Sequence, residues 1–176
     1  MEEAVRECLL PAVTKWQIIS DDERVMLSLP CREGGLGVIN PVEEAQPAND
    51  TARACTKHLV EALKGREAWD AVAHRQLFGE GSSEGKTKRG EVHKAKVKQL
   101  TGEDSGLADK TKRAFPRASL NKTGNWLTIK PSEEFQTVLT SKEFEDGIAV
   151  RYAKDPLGYK QDVGVMADRR MTWTMR

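Results

Sequence analysis

The chain has 176 residues, of which 38% are apolar and 31% are charged. Globular domains average about 45–50% apolar and about 25% charged residues, so these values predict one domain with a modest core and long solvated segments. The net charge of +1 excludes a uniformly basic nucleic-acid-binding protein and makes local charge asymmetry more informative than the total.

The cysteines and the N-terminal segment indicate in which cellular compartment the protein is found. Cys8, Cys31 and Cys55 are odd in number and widely spaced, which favours free thiols over a disulfide framework. Glu2 and Glu3 stand where a secretory signal would be basic, and no apolar run reaches the roughly 20 residues of a membrane span. We expect an intracellular protein, in cytoplasm or nucleus, with no membrane partner.

The first 41 residues predict two short helices and a turn. Helical spacing of apolar residues predicts an N-terminal helix that Pro11 interrupts or kinks. Ser20 and Glu23 have the spacing of a capping box, which predicts a second helix from about Asp21 to Leu29. Three glycines in residues 34–37 then predict a turn.

The next region is predicted to be a helix followed by a linker. Residues 49–51 are typical of a helix start, and an apolar stripe continues past Gly65 to Phe78. These features predict a long helix that Gly65 weakens or breaks. Residues 79–85 have the composition of a flexible linker.

A basic cluster follows this predicted linker. Its members are Lys86, Lys88, Arg89, Lys94, Lys96 and Lys98. The same segment contains one acidic residue, Glu91, so its net charge is about +5 while the whole chain is nearly neutral. With almost no apolar residues, the segment is predicted to be either a solvated helix or disordered. Lysines can neutralise nucleic-acid phosphates without sequence preference, and a solvated face with no ligand is the alternative.

The pattern changes in the last third of the chain. Short β-branched runs at residues 126–129 and 137–139 predict a hairpin around Pro131. Thr140 and Glu143 repeat the capping-box spacing before another helix. The predicted buried face of that helix comprises Phe144, Ile148 and Tyr152.

These elements predict a mainly α protein with a long charged helix or disordered spacer and one small β-hairpin near Trp126. The predicted divisions are a helical region at 1–78 with the glycine turn at 34–37, a charged and partly disordered spacer at 79–123, a hairpin-helix module at 124–158 and an unstructured tail at 159–176.

The sequence predicts no enzyme, metal site or cofactor. Residues 81–87 approach a phosphate-binding loop, but their glycine spacing is one residue off and a helix precedes them. Cys55 and His58 are three residues apart, yet zinc needs three or four ligands, so a packed cysteine beside a surface histidine is favoured. Trp69, Trp126, Phe144 and Tyr152 are interpreted as core anchors and not as ligand contacts.

Two motifs in fixed order carry a family resemblance. Residues 29–41 are similar to the pattern LP-x-R-x-GGLG-aliphatic-x-NP, and residues 124–128 with 144–152 are similar to SNWLT followed by F-x-D-A-x-x-x-RY. Over about residues 2–161 the chain resembles the region downstream of the polymerase domain in non-LTR retrotransposon reverse transcriptases. The matching residues are Leu29, Pro30, Gly34, Gly35, Gly37, Asn125, Trp126, Leu127, Arg151 and Tyr152.

The resemblance implies a fragment that lacks the catalytic palm, because the chain begins after the region that carries the metal-binding aspartates. The family's cysteine- and histidine-containing segment is also absent, and rereading the tail two bases on permits a similar segment. We therefore hypothesise a frameshift from about Asp162. The expected function is a non-catalytic remnant with, at most, weak and salt-dependent binding of RNA or DNA by the basic cluster. A helical protein-interaction module with no nucleic-acid role is the alternative, its protein partners unspecified.

Overall fold

The computed structural model describes residues 1–154, which form six helices. Helix α1 passes through Glu2–Ala4, Val5–Leu9 and Leu10–Thr14; α2 is Asp21–Ser28, α3 is Pro41–Leu63, α4 is Ala71–Thr101, α5 is Asp109–Ala118 and α6 is Ser141–Tyr152. Two short 3-10 helices occupy Cys31–Glu33 and Asn125–Leu127. The predicted mainly α class is confirmed, and the predicted tail with its frameshift lies outside the described residues.

The two predicted capping boxes are confirmed. At the start of α2, Ser20 Oγ accepts from the Glu23 N–H at 3.2 Å and the Glu23 carboxylate accepts from the Ser20 N–H at 3.0 Å. Thr140 and Glu143 make the same reciprocal pair before α6. Each pair satisfies N–H groups that the first helical turn leaves free, so both helices begin where the local sequence places them.

Helix α3 begins earlier than the sequence predicts. The predicted start at residues 49–51 is wrong, because Asn40 caps the helix through its side-chain oxygen, 3.0 Å from the Val42 nitrogen. Pro41 fits the first helical position, where its missing N–H costs nothing. Pro47 lies inside α3 but is exposed, where water can solvate the carbonyl that loses its partner.

The predicted flexible linker at 79–85 is also wrong, because these residues lie within α4. Gly81 and Gly85 are buried where α4 packs against α3. A Cβ atom at Gly81 would lie 3.2 Å from the Cys55 nitrogen, and one at Gly85 would lie 2.7 Å from the Thr51 side chain. The glycines therefore allow two helix backbones to approach closely, and α3 and α4 form a long helical hairpin.

The predicted β-hairpin near Trp126 is absent from the described residues, which contain no strand. Residues 125–127 form a 3-10 helix, and turns and irregular backbone follow up to Thr140. Ile129 and Val138 are more than half exposed. A two-stranded hairpin with no buried face is only marginally stable in water, which accounts for the error.

The hydrophobic core lies at the base of the helical hairpin. Its central side chains are Leu10, Met26, Leu27, Leu29, Leu100, Phe115, Ile148 and Tyr152. They come from α1, α2, the end of α4, α5 and α6, whereas α3 packs chiefly on α4. None of the helices in residues 1–154 is both long and apolar enough to cross a lipid bilayer.

Candidate nucleic-acid interface

The two motifs that carry the family resemblance meet in the fold. The buried guanidinium of Arg151 donates from Nη2 to the Cys31 carbonyl at 2.9 Å and from Nη1 to the Thr123 carbonyl at 3.1 Å. The Tyr152 hydroxyl donates to the Gly34 carbonyl at 2.8 Å. Burial raises the pKa of Tyr152 to about 12, so the phenol remains a neutral donor at physiological pH.

The glycine turn of the first motif folds back onto the end of α2. Leu29 is fully buried, and its carbonyl accepts from the Gly37 N–H at 2.8 Å. The Pro30 carbonyl accepts from the Gly35 N–H at 3.1 Å. Gly34 and Gly37 have positive φ angles of 92° and 73°, which glycine adopts without a Cβ penalty.

The second motif packs on α6. The Trp126 ring makes an edge contact with Phe144 at a centroid distance of 5.6 Å, and a Cβ atom at Gly147 would lie 3.1 Å from the same indole. Leu127 is half-buried against the core, while Asn125 is exposed. Most residues of both motifs thus have packing roles at one junction.

Three members of the basic cluster on α4 already have partners. The Lys88 ammonium lies 2.7 Å from the Glu84 carboxylate, and this pairing raises the pKa of Lys88 and lowers the pKa of Glu84. The Lys96 ammonium lies 2.5 Å from the carboxylate of Glu43 on α3. Arg89 donates to the Gly85 carbonyl of its own helix at 3.4 Å.

The other three members, Lys86, Lys94 and Lys98, are exposed and make no ion pair within residues 1–154. Lys94 and Lys98 are four residues apart, so they lie on the same side of α4. Lys88 and Lys96 point to other sides, because each residue turns the helix by about 100°. The six predicted side chains therefore do not form one continuous face.

The sequence also shows basic residues beyond this cluster, and two of them, Arg113 and Arg117, form a second basic surface on α5. Thr111, Ala114, Phe115 and Ala118 are buried on one side of this short helix. Arg113 and Arg117 are exposed on the other side, one helical turn apart. The amphipathic spacing of the helix therefore separates its buried side from its basic side.

Two predictions are wrong at the distal end of the helical hairpin, where α3 ends and α4 begins. His58 is buried, not on the surface as expected; its Nδ1 lies 3.3 Å from the Glu67 carboxylate and its Nε2 lies 3.1 Å from the Asp70 carbonyl. Trp69 is 52% exposed and stacks on the His58 ring, so it is not a core anchor. Cys55 is buried as predicted, and no group of three or more metal-binding side chains occurs within residues 1–154.

Comparisons of the chain with protein-family models, with curated proteins and with solved structures give no significant match.

Proposed function

We propose that the chain is a non-catalytic, intracellular remnant of a non-LTR retrotransposon reverse transcriptase, derived from the region that follows the polymerase domain. The observation that carries this proposal is the junction of the two motifs, where Arg151 contacts Cys31 and Tyr152 contacts Gly34. Motifs that are far apart in the chain form one packed unit, which is expected if they were inherited together.

Genomic context tests this parentage. A polymerase reading frame directly upstream of the coding sequence would support it. The frameshift hypothesis requires a segment with cysteine and histidine codons in the alternative frame from about Asp162. A coding sequence that lacks both features would contradict the proposed descent.

The remaining activity is weak, sequence-independent binding of RNA or DNA by the basic cluster on α4. The exposed ammonium groups of Lys86, Lys94 and Lys98 are free to replace counterions along a phosphate backbone. Lys88 and Lys96 would first have to leave Glu84 and Glu43, so they add less binding free energy. Residues 86–98 contain no Phe, Tyr or Trp on which a base could stack. Electrostatic contacts therefore supply the affinity, which must fall as salt rises.

A paired set of variants tests this binding site. The double variant Lys94→Gln/Lys98→Gln removes two free cations, and Lys88→Gln/Lys96→Gln removes two cations that are already paired. We expect the first variant to reduce the slope of log affinity against log salt concentration by about 0.7 for each lost phosphate contact to single-stranded RNA. The second should change the slope less. Fluorescence anisotropy with a labelled single-stranded RNA, from about 50 to 200 mM salt, measures both slopes.

Two results would contradict the assignment. Equal slope changes in the two variants would show that pairing to glutamate does not decide which lysines bind. Absence of binding by the unmodified protein at low salt would remove the nucleic-acid role altogether.

The distal end of the helical hairpin favours a second candidate function, a helical protein-interaction module. Several large apolar side chains are exposed there, namely Leu63, Trp69, Val72 and Phe78. Exposed apolar patches often mark protein contacts, and aromatic side chains are enriched in such contacts. This function is favoured if the protein fails to bind RNA even at low salt.

A further inference from the structure

A polar cleft lies beside the junction of the two motifs. Its volume is about 430 Å³, between the 3-10 helix Cys31–Glu33 and the segment 119–128. The polar side chains that line it are those of Arg32, Ser119, Asn121, Lys122, Asn125 and Thr128. Among the described residues, no carboxylate lines the cleft. Two cations and several hydrogen-bonding groups therefore line the cleft, while the carboxylate that pairs with Arg32, that of Glu33, is not part of its lining.

Four of these side chains have unused donors. The hydroxyl of Ser119 donates to the Pro116 carbonyl and that of Thr128 donates to the Asn125 carbonyl, each at 2.8 Å. Asn121, Lys122 and Asn125, in contrast, use no side-chain donor within residues 1–154. The Arg32 side chain is 79% exposed and has only a loose contact, 3.5 Å, with its neighbour Glu33. These four side chains can turn their donors toward a ligand.

The backbone at Lys122 is strained. Its φ angle is +70°, in the left-handed region that glycine or asparagine would adopt more easily. The turn is held because the Lys122 carbonyl accepts from the Asn125 N–H at 3.2 Å and the Leu120 carbonyl accepts from the Thr123 N–H at 3.2 Å. This turn places Lys122 at the edge of the cleft.

Helix α5 ends at this cleft, and the negative end of its dipole would oppose an anion. Hydroxyl groups lie at the last carbonyls of this helix. Ser119 Oγ donates to the Pro116 carbonyl at 2.8 Å, and Thr123 Oγ1 lies within hydrogen-bond distance of both the Ala118 and Leu120 carbonyls, at 2.8 and 2.7 Å. The buried guanidinium of Arg151 adds a positive charge next to the cleft, 2.9 Å from the carbonyl of Cys31, one of the lining residues. The local charge therefore remains suited to an anion.

We propose that this cleft binds the phosphate group of a nucleotide, either free or as one unit of a nucleic-acid strand. Arg32 can donate two parallel hydrogen bonds to phosphate oxygens, and Lys122 supplies a point charge. The side-chain amides of Asn121 and Asn125 can donate to the remaining oxygens or to the sugar. The volume is at the lower end of the roughly 300–1,000 Å³ typical of ligand pockets. This site is separate from the basic cluster on α4 and does not depend on it.

Nuclear magnetic resonance titrations of isotope-labelled protein test the proposal. The probes are inorganic phosphate, uridine 5′-monophosphate and an eight-residue oligouridylate, and the signals followed are the side-chain amides of Asn121 and Asn125. The double variant Arg32→Gln/Lys122→Gln should raise the Kd for the nucleotide at least about tenfold, because it removes both charged donors. Arg53→Gln/Lys57→Gln, with the same loss of charge on exposed positions of α3, should leave the Kd unchanged.

The probes distinguish the two sources of phosphate. Tighter binding of the oligonucleotide than of the mononucleotide supports a strand, and equal binding supports a free nucleotide. The proposal is overturned if no probe shifts the two amide signals, or if the control variant loses as much affinity as the cleft variant. Lys94→Gln/Lys98→Gln should leave nucleotide binding at the cleft intact, so failure of the α4 site and failure of the cleft are separate results.

Discussion

Replacing Gly35 with alanine is expected to destabilise the protein by about 3 kcal/mol or more, the upper end of the cost of overpacking a core. The new Cβ atom would lie 1.9 Å from the Leu29 carbonyl oxygen and 2.7 Å from that of Met26. Both are backbone atoms at the end of α2, so no side-chain rotation relieves the clash. The turn would have to separate from α2, which would break the Gly37 bond to Leu29 and expose the core beneath.

Gly37→Ala is the matched control for this prediction. Gly37 has a φ angle of +73°, but a Cβ atom there would meet no other atom within 4 Å. Its substitution should cost only the left-handed conformational penalty, about 1–2 kcal/mol. Urea denaturation followed by circular dichroism measures the free energy of unfolding of both variants. If the two variants lose equal stability, close backbone packing at Gly35 is not what holds the turn.

The sequence predicts those parts of the fold that depend on neighbouring residues. Ser20 with Glu23, and Thr140 with Glu143, begin helices because both partners of each capping box lie within one turn. The signal for the start of α3 is equally local, because an asparagine followed directly by a proline, as at Asn40 and Pro41, is typical of a helix N-terminus.

Contacts between distant segments explain the other errors. Gly81 and Gly85 belong to a segment that has the composition of a linker. They are buried in a helix contact only because Thr51 and Cys55 lie opposite them on α3. In the same way, the sequence identifies Lys96 as a cation but not its ion pair with Glu43, which lies 53 residues away. The sequence therefore predicts the positive charge of the basic cluster, but it does not show which of its lysines are already paired with a carboxylate.

The phosphate cleft illustrates the same limit. Arg32 and Lys122 are 90 positions apart in the sequence and have no common motif. They line one cleft because Arg151 holds the Cys31 and Thr123 carbonyls, next to each of them in the chain. A buried arginine that donates to two carbonyls can position a site without contacting its ligand.

Arg151→Met should destabilise the protein by about 2–4 kcal/mol, because hydrogen bonds from a charged donor contribute about 1.5–3 kcal/mol each. Among residues 1–154 the Thr123 carbonyl would be left without a donor, and the Cys31 carbonyl would keep only the Gly34 N–H, 3.2 Å away. Methionine retains much of the apolar volume of the arginine stem, so the change mainly removes the hydrogen bonds. The glycine turn and the 3-10 helix Asn125–Leu127 should then open more often. Urea denaturation gives the loss in free energy. Hydrogen exchange should become faster at residues 33–37 and at 125 and 127–129, whose amides hydrogen-bond within these turns or to the end of α2.

Tyr152→Phe provides the comparison on the same helix. It removes one neutral hydrogen bond, to the Gly34 carbonyl, and keeps the ring in the core. Its cost should be about 0.5–1.5 kcal/mol, with faster exchange confined to the glycine turn. If Arg151→Met is no more destabilising than Tyr152→Phe, or leaves exchange at 125–129 unchanged, Arg151 does not join the two motifs. The junction would then depend on apolar packing around Tyr152 and Phe115 alone. The hydrogen bonds of Arg151 would not be what positions the residues that line the cleft.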